Sequence, residues 1–382
     1  MKRILKTLIS FALIIAVTIT CVPIVRCNAV STSAYAYALY CVNTGEFLVS
    51  SNGDVQLPMA STTKIMTAIL GIEALQAADE EMVVTMTPDM YAEGSSMYLA
   101  ANDKILMSDL VGGMLMVSGN DAANAIALTV GGSFDGFSKL MNKKAEEIGL
   151  KNSGFVTPSG LDADGHYTTA CDLAKLMAYC MENTLFRQID GEQSITVNFI
   201  SPENKTETYY NENRLLREYE YCVAGKTGYT SLAGRTLVSC AEKDGIRLVA
   251  VTLNDRDDWN DHKRLFDYGF ENLSMEQLDV SFDDLSIPIA GGTKQTLNLA
   301  VGEQPSICVS DFSTNEVEIS YELPRFVYAP VAEGESIGKV TYYHDGIFLG
   351  QSDVTSAETV AYKKIPTSFT ENLISFFKTL FG

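Results

Sequence analysis

The sequence predicts an α+β fold: an antiparallel sheet with a helical region, followed by a small β-rich domain and a C-terminal amphipathic helix. Strand-like segments flank a mainly helical middle third, so the two ends of the first domain can share one sheet. Short alternating segments with regularly spaced turn residues fill residues 278–361. The 382 residues are 46% apolar, which is enough to bury a sizeable core and favours two or three domains.

Residues 1–29 are predicted to be a cleaved secretory signal peptide. Basic residues precede an apolar run from Thr7 to Val25, and the small-residue pattern Cys27-Asn28-Ala29 follows. A retained transmembrane anchor is the alternative, because the run is nearly long enough to span a bilayer. The segment holds four bases and no acid, so its removal takes the formal charge from −20 to −24. A chain this acidic is expected to repel nucleic acid.

The first elements are a β-hairpin and a helix. Residues 34–50 are strand-like, and Asn43-Thr44-Gly45 interrupts them with residues that suit a tight turn. After Pro58, apolar residues recur with helical spacing over residues 61–74, at Ile65, Ala68, Ile69 and Ile72. Ser61 is therefore expected at the N-terminus of a helix.

Two more helices are predicted in the middle third, one ending before Gly149 and one behind the capping pattern Thr169-Ala170-Cys171-Asp172. Their apolar faces consist of Phe137, Leu140, Met141, Ala145 and Ile148, and of Leu173, Leu176, Met177 and Cys180. Strand character returns in residues 236–241 and 246–253. The dipeptide Asp244-Gly245 between them is a strong hairpin signal.

A last helix of the first domain is predicted over residues 265–270. The predicted domains are then an α+β domain over residues 30–273, a β-rich domain over 278–361 and an amphipathic helix over 366–382. Strand-like alternation in the β-rich domain is clearest at Val317-Glu318-Ile319-Ser320-Tyr321.

The C-terminal helix has the pattern of an interfacial membrane helix. One helical face carries Phe369, Leu373, Phe376, Phe377 and Leu380. Packing of this helix on the β-rich domain is the alternative. The helix is too short to span a membrane.

The eight cysteines do not suggest a disulfide framework. Two lie in the predicted signal peptide, and the other six are scattered singly in apolar stretches, as expected for buried small hydrophobic residues. Cys222 and Cys240 could face each other on neighbouring strands, and the sequence leaves open whether they pair. No spacing of Cys and His suggests a metal site, and no cofactor is implied.

The first chemical candidate is Ser61-Thr62-Thr63-Lys64. Residues i and i+3 lie on one helical face, so the Ser61 hydroxyl and the Lys64 amine can approach each other without any histidine. To act as a base near pH 7, the lysine pKa must fall by about three units from ~10.4, which costs about 4 kcal/mol. Burial and a nearby second cation can supply that shift. Alone the pattern is weak, because about one or two such pairs are expected by chance in a chain of this length.

Two further motifs follow in order and strengthen the candidate. Ser118-Gly119-Asn120 lies between two helical stretches, and Lys226-Thr227-Gly228 lies just ahead of the paired strands. The combination Ser-x-x-Lys, Ser-x-Asn and Lys-Thr-Gly resembles that of β-lactamases and penicillin-binding proteins. The resemblance implies a β-lactamase/DD-peptidase-like first domain.

The sequence around these motifs is similar to that of low-molecular-mass D-alanyl-D-alanine carboxypeptidases. The similar stretches are residues 58–70, 113–124 and 160–167, within a resemblance that spans residues 34–273. It is looser in the β-rich domain, at Ala329-Pro330-Val331 and Ile337-Gly338. One departure is Val223-Ala224-Gly225, since the family more often has glycine two residues before the lysine.

The resemblance implies a role for each motif residue. Ser61 would attack the carbonyl between two terminal D-alanines, and Lys64 would accept its proton and later activate water. Ser118 would relay a proton to the leaving D-alanine, and Asn120 would hold the acyl amide and orient Lys64.

It also implies a substrate-binding set of Lys226, Thr227, Gly228 and Tyr229. Lys226 and Thr227 would bind the terminal carboxylate of the substrate. The backbone N–H groups of Ser61 and Tyr229 would form the oxyanion hole. A further hypothesis is that the charge of Lys226 lowers the pKa of Lys64.

His166, in Gly165-His166-Tyr167, could be mistaken for a catalytic base. A structural role is the interpretation we favour, because a lysine already fills the base position. The sequence gives no sign of the orienting acid that a Ser-His-Asp triad needs.

The predicted function is a serine D-Ala-D-Ala carboxypeptidase that trims peptidoglycan stem peptides and is inhibited covalently by penicillin and other β-lactams. It would act after export, at the outer face of the cytoplasmic membrane or in the cell wall, with the C-terminal helix as its attachment to the membrane surface. Three alternatives stay open: a β-lactamase, a transpeptidase or endopeptidase on the same fold, and a non-catalytic cell-wall scaffold. No glutamate motif of the β-lactamase kind lies between Ser118 and Lys226.

Overall fold

The computed structural model describes residues 30–78, 80–309, 317–344, 346–363 and 368–381. The predicted signal peptide, residues 1–29, lies outside these residues.

The helices of the described residues are given first, in chain order. They are α1 (Lys64–Ala77), α2 (Met107–Val117), α3 (Asn120–Gly131), α4 (Phe134–Ile148), α5 (Ala170–Glu182), α6 (Thr184–Asp190), α7 (Leu215–Glu218), α8 (Asp258–Asn272) and α9 (Ser368–Phe381). Short 3₁₀ turns occupy Ala60–Thr63 and Pro88–Met90.

The strands follow in the same order. They are β1 (Ala36–Cys41), β2 (Glu46–Ser51), β3 (Val83–Thr85), β4 (Lys104–Leu106), β5 (Ser194–Asn198), β6 (Thr206–Tyr210), β7 (Cys222–Thr230), β8 (Gly234–Lys243), β9 (Ile246–Leu253), β10 (Ser274–Gln277), β11 (Ser286–Ala290), β12 (Thr296–Val301), β13 (Ser306–Val309), β14 (Glu318–Glu322), β15 (Val327–Tyr328), β16 (Ser336–His344) and β17 (Ile347–Ser356).

The main sheet has five antiparallel strands in the order β2-β1-β9-β8-β7. Strand β1 pairs with β9, with Tyr37 opposite Thr252, so the first and last strands of this part of the chain share one sheet as predicted. Both predicted hairpin turns are present. Gly45 and Gly245 adopt φ values of 72° and 84°, a region that glycine enters without steric cost.

The helices on one face of this sheet surround α1. Ile65, Ile69 and Ile72 are fully buried on α1, and so are Lys64 and Thr67. Residues 64–72 of the helix are thus buried on all sides rather than along one stripe, because the helix packs against α2, α3 and α5. A central, buried α1 fixes the position of the side chains at its N-terminus.

Several predicted elements differ from the structure in detail. Ser61 lies in the 3₁₀ turn that precedes α1, not in the α-helix itself. Lys226-Thr227-Gly228 lies inside the edge strand β7 and not ahead of the paired strands, because the glycines that weaken the strand pattern are hydrogen-bonded to β8. The hairpin β5–β6 interrupts the predicted helical middle third, and the strand pair β3–β4 lies ahead of it.

The C-terminal part is β-rich, so the predicted fold class is confirmed. Its six-stranded sheet has the order β14-β16-β17-β12-β11-β15 and a separate apolar core that includes Leu297, Val340 and Tyr342. Strands β10 and β13 form a separate two-stranded ribbon. The domain boundary near residue 273 stays a prediction.

The predicted C-terminal helix is present as α9. Its described apolar side chains are exposed, with Leu373, Ile374, Phe376, Phe377 and Leu380 between 44% and 59% accessible. Among the described residues, no helix combines the length and apolarity needed to cross a membrane.

Candidate active site

The turn that carries Ser61 is held in an unusual backbone conformation. Ala60 has φ 50°, which is uncommon for a residue with a side chain. Gly160 packs directly on this turn, since a Cβ there would lie 1.9 Å from the Ala60 carbonyl oxygen. The Thr63 hydroxyl donates to the same oxygen at 2.8 Å. These contacts fix the Ser61 turn, and Ser61 itself is partly exposed.

Lys64 lies directly beneath Ser61 and is fully buried. Its Nζ contacts three acceptors: Ser61 Oγ at 2.8 Å, Asn120 Oδ1 at 2.7 Å and the Ser159 carbonyl at 2.6 Å. Burial lowers the Lys64 pKa well below its ordinary value, and the charge of Lys226 lowers it further. Glu212 and Asp121 act in the opposite direction. The amine is thus oriented towards the serine and biased towards its neutral form.

Ser118 and Asn120 lie at the corner between α2 and α3. Ser118 ends α2 in the left-handed conformation, with φ 58°, and is 3% exposed. Asn120 Nδ2 donates to the Glu93 carbonyl at 2.7 Å while its Oδ1 accepts from Lys64. The Asn120 amide oxygen thus contacts the Lys64 amine, and its amide N–H₂ is already used within the protein.

Asp121 was not predicted and fixes the wall of the cleft beside this corner. Its carboxylate accepts hydrogen bonds from Ser96 Oγ at 2.7 Å, Met97 N at 2.9 Å and Leu99 N at 3.1 Å. It is 2% exposed. A buried carboxylate is stabilised when several N–H and O–H groups donate to it, so Asp121 holds the segment 96–99 against α3.

Strand β7 passes very close to the turn that carries Ser61. A Cβ at Gly228 would lie 2.9 Å from Ser61 N and 2.4 Å from Thr236 Oγ1. Only glycine permits this approach without displacement of the backbone. The close contact explains the glycine of the Lys-Thr-Gly motif.

Lys226 and Thr227 precede this glycine. Lys226 is 1% exposed, and its Nζ donates to the Thr227 carbonyl at 2.9 Å. Burial lowers its pKa to about 8, whereas Glu212 and Asp190 favour the charged form. The Thr227 hydroxyl points to the cleft and donates to Glu212 Oε2 at 3.3 Å.

The departure at Gly225 has a local structural cause. Gly225 has φ 158°, and a Cβ there would lie 2.6 Å from Asn213 Nδ2 and 2.7 Å from the Val238 carbonyl. The segment that contains Asn213 therefore packs closely on β7. Glycine next to the lysine is required by that packing.

Ser61, Ser118, Thr227 and Gly228 of the three motifs line one cleft of about 480 Å³. It is bordered by Ser61, Ser95, Ser118, Glu212, Thr227, Gly228, Tyr229, Arg235, Thr236, Asp258 and Trp259. Tyr229 is 68% exposed at its rim. The structure thus brings Ser61, Lys64, Ser118, Asn120 and the residues of β7 together. In the part of the chain that the structure describes, no hydrogen bond joins the Ser118 hydroxyl to Lys64 or Lys226.

Besides Asp121, three further charged residues of this region were missed by sequence reasoning. Arg235 lies opposite Tyr229 in the β7–β8 register and forms a two-point ion pair with Asp258. Its side chain is 45% exposed, so it offers the cleft a more accessible cation than Lys226. Its position across a hairpin from the motif is the one signal that could have pointed to it.

Glu212 and Asp190 are the other two. Glu212 is exposed in the cleft beside Thr227. Asp190 is fully buried at the end of α6, and among the described residues the Gly225 amide lies near its carboxylate without forming a hydrogen bond of normal geometry. Burial raises the pKa of Asp190 to about 6, against the charge of Lys226 and the Gly225 amide. No motif marks either acid in the sequence.

His166 has structural hydrogen bonds. Its Nδ1 accepts from the Val156 amide at 2.9 Å, so the proton lies on Nε2, which donates to Thr63 Oγ1 at 2.9 Å. Burial lowers the His166 pKa to about 4. No cluster of metal-ligating side chains exists among the described residues.

The first domain combines a sheet with helices, and its cleft places a serine hydroxyl next to a buried lysine whose pKa is lowered. These features define a serine acyl-transfer enzyme with a lysine base. Comparison with known proteins narrows this class. The D-alanyl-D-alanine carboxypeptidase family model matches residues 24–257, and the model of the penicillin-binding protein 5 C-terminal domain matches residues 279–362. The chain therefore belongs to the D-alanyl-D-alanine carboxypeptidase family, as the motifs predicted.

Individual proteins agree with the family models. The chain is 33% identical over 352 residues to the D-alanyl-D-alanine carboxypeptidase DacC of Escherichia coli. The aligned region covers 87% of this chain and 86% of that protein. Penicillin-binding protein 5 from Haemophilus influenzae superposes with a TM-score of 0.63 at 30% identity, over 87% of this chain and 98% of that one. A mutant of the Streptomyces K15 DD-transpeptidase superposes with a TM-score of 0.60 at 27% identity, over 63% and 99%. The predicted serine D-Ala-D-Ala carboxypeptidase class is confirmed.

Proposed function

We propose that Ser61 is the nucleophile that removes the terminal D-alanine from peptidoglycan stem pentapeptides, with Lys64 as its base. The observation that carries this proposal is the 2.8 Å contact between Ser61 Oγ and the Nζ of a fully buried lysine. An amine can accept a proton only in its neutral form, and a lowered Lys64 pKa increases the neutral fraction near pH 7.

Acylation begins when neutral Lys64 accepts the Ser61 proton and Ser61 Oγ attacks the carbonyl carbon between the two D-alanines. Negative charge then develops on the carbonyl oxygen. The N–H groups of Ser61 and Tyr229 stabilise this charge, since the close approach of Gly228 sets the two backbones side by side. Loss of one such donor typically costs ~10²–10³ in rate.

Collapse of this intermediate breaks the C–N bond and releases D-alanine. Its nitrogen needs a proton, which comes from the Lys64 ammonium directly or through the Ser118 hydroxyl. Lys64 is then neutral again and accepts a proton from a water molecule that attacks the acyl-enzyme. The bond between the acyl carbon and Ser61 Oγ then breaks, Lys64 returns the proton to Ser61 Oγ, and the shortened peptide leaves.

Recognition of the terminal carboxylate combines a hydroxyl and two cations. The Thr227 hydroxyl donates one hydrogen bond, and Lys226 supplies charge from behind β7. Arg235 supplies an accessible guanidinium, whose planar N–H groups suit a carboxylate. Glu212 accepts from Thr227 in the free protein, so Thr227 must exchange this partner for the substrate.

The predicted domain and membrane organisation is proposed on separate grounds. Residues 30–273 form the catalytic domain, residues 278–361 act as a spacer, and α9 lies in the membrane interface after export. The exposed apolar face of α9 supports this role because an unpacked amphipathic helix gains free energy in a lipid interface. Loss of residues 366–382 is expected to release the protein from membranes, which fractionation of the full and truncated chains measures.

A transpeptidase is the second candidate, because the K15 DD-transpeptidase shares the fold over 63% of this chain. The two reactions share the acyl-enzyme and differ in whether water or an amine accepts the acyl group. Reaction in the presence of added D-amino acids distinguishes them, since a transpeptidase forms the exchanged peptide and a carboxypeptidase forms the tetrapeptide.

The test of the proposed function is release of free D-alanine from a stem pentapeptide by the exported part of the chain, with Ser61→Ala assayed beside it. Release by the wild type alone supports both the activity and the nucleophile. Release at equal rates by both proteins contradicts the assignment of Ser61. Absence of release by a folded wild type contradicts the carboxypeptidase activity.

A further inference from the structure

Two cysteines from distant parts of the chain meet in the structure. Cys41 ends β1 in the main sheet, and Cys308 lies in β13, 267 positions later, yet their sulfur atoms are 3.9 Å apart. Cys308 pairs with Met275 in the β10–β13 ribbon. A Cβ at Gly245 would lie 3.6 Å from Met275 Cγ, so the ribbon also contacts the β8–β9 turn. The ribbon therefore lies against the turn end of the main sheet at two points.

The other four described cysteines have no such neighbour. Cys171, Cys180, Cys222 and Cys240 are buried thiols, and burial raises the pKa of each. Within the described residues, none of the four has a second sulfur in hydrogen-bonding contact. Cys222 and Cys240, whose pairing the sequence left open, are both free on adjacent strands.

The two thiols of the contact are also chemically unequal. The contact with Cys308 lowers the pKa of Cys41 to about 6, against the effect of burial. The same contact raises the pKa of Cys308. Cys41 is fully buried, whereas Cys308 is partly exposed. Cys41 is therefore the more acidic thiol of the pair, and Cys308 is the thiol that solvent species can reach.

We propose that Cys41 and Cys308 are a disulfide site that fastens the β10–β13 ribbon to the main sheet. The oxidant is a disulfide, either a small molecule such as oxidised glutathione or a protein thiol oxidant. Proteins exported from the cytoplasm meet such oxidants.

The reaction is a two-step thiol–disulfide exchange. Cys308 loses its proton to solvent and attacks one sulfur of the oxidant, which releases one thiolate and leaves a mixed disulfide on Cys308. The Cys41 thiolate then attacks Cys308 Sγ and expels the second thiolate. Two protein thiols are oxidised, and one oxidant disulfide is reduced to two thiols. The sulfur atoms close from 3.9 Å to a bond of about 2 Å.

The disulfide constrains the unfolded chain and ties two separate sheets together. A crosslink that closes a loop of this length is expected to raise the unfolding temperature of the catalytic part by about 5 °C or more. Neither cysteine borders the Ser61 cleft. The site is therefore independent of the acyl-transfer chemistry, and its failure would leave the proposed function unaffected.

The test uses the full exported chain, equilibrated with oxidised glutathione and, separately, with dithiothreitol. The expected result is a loss of 2 Da in the oxidised sample, a Cys41–Cys308 crosslinked peptide in a non-reducing digest, and a higher unfolding temperature that dithiothreitol reverses. Cys308→Ser abolishes all three, and Cys222→Ala, a matched control, retains them. The wild-type digest decides the question even if a variant folds poorly.

Absence of the Cys41–Cys308 peptide under oxidising conditions overturns the proposal. So does a Cys222–Cys240 peptide or a crosslink between two chains in its place. An unfolding temperature that is equal in the two redox states contradicts the fastening role of the bond.

Discussion

The side-chain oxygen of Asn120 accepts a hydrogen bond of 2.7 Å from Lys64 Nζ. The opposite end of the Asn120 side chain donates to the Glu93 carbonyl, which fixes which atom faces the lysine. An amide oxygen orients the amine without adding a full negative charge. This choice matters because a carboxylate in the same place would favour the ammonium form of Lys64.

Asn120→Asp is therefore expected to raise the Lys64 pKa. In a plot of acylation rate against pH, the acidic limb should then move to higher pH. A shift of one unit corresponds to about tenfold slower acylation on that limb. The measurement is the rate of penicillin acylation from pH 5 to 9. Asn124→Asp on the same helix is the matched control, since the Asn124 amide donates to the Tyr91 carbonyl and makes no hydrogen bond to Lys64 among the described residues. An acidic limb that Asn120→Asp leaves in place would contradict the role of Lys64 as the base.

The loss of the Lys226 charge at high pH is expected to set an alkaline limit to activity. The Lys226 pKa of about 8 means that this lysine is charged below that pH and neutral above it. Loss of the charge weakens binding of the terminal carboxylate and raises the Lys64 pKa. We expect kcat/KM for a pentapeptide to fall tenfold per pH unit well above pH 8, and a profile flat to pH 10 would be inconsistent with this.

Asp190→Asn tests the same alkaline limb of the pH profile by removing a negative charge that acts on Lys226. The Asp190 charge favours charged Lys226, so its removal is expected to move the alkaline limb to lower pH by about half a unit to one unit. Asp255→Asn is the control, because Asp255 is also buried and also has an oxygen without a hydrogen-bond partner. If both variants move the alkaline limb by the same amount, the shift reflects a general loss of stability and not the charge of Asp190.

Gly228→Ala is expected to lower kcat by about 10², since the added Cβ displaces β7 from Ser61 and spoils the oxyanion hole. The fold should persist, because the clash lies at an edge strand. Gly302→Ala is the matched control, where the nearest atom to a Cβ is the Asp353 carbonyl oxygen at 3.3 Å. Steady-state D-alanine release measures both, and an unimpaired Gly228→Ala enzyme would refute the close-approach argument.

Protonation of buried His166 is expected to lower the stability of the protein in acid. The folded His166 pKa of about 4 lies below the ordinary value of 6.5, so the contribution of His166 is fully present above pH 6.5 and is lost as pH falls towards 4. The free energy of unfolding should drop by up to about 3 kcal/mol across this window. The difference between wild type and His166→Asn, from urea titrations at each pH, isolates the effect, since buried His262 is common to both. A difference that does not change with pH would contradict it.

The sequence predicted the residues that local patterns mark. The Ser-x-x-Lys spacing placed a hydroxyl near an amine, and the hairpin dipeptides placed β1–β2 and β8–β9. It could not predict Asp190 or Arg235, because their roles depend on where α6 and β8 pack against β7. The Cys41–Cys308 contact was missed for the same reason: 267 positions separate the two residues, and only the tertiary fold brings them together.

Peptide mapping of the penicillin adduct tests the central claim most directly. The account predicts one penicilloyl group per chain, on Ser61, whose formation rate rises with pH as Lys64 loses its proton and which Lys64→Met abolishes in a folded protein. An adduct on another residue, or a Ser61 adduct that forms equally fast in Lys64→Met, would contradict a serine nucleophile activated by a buried lysine.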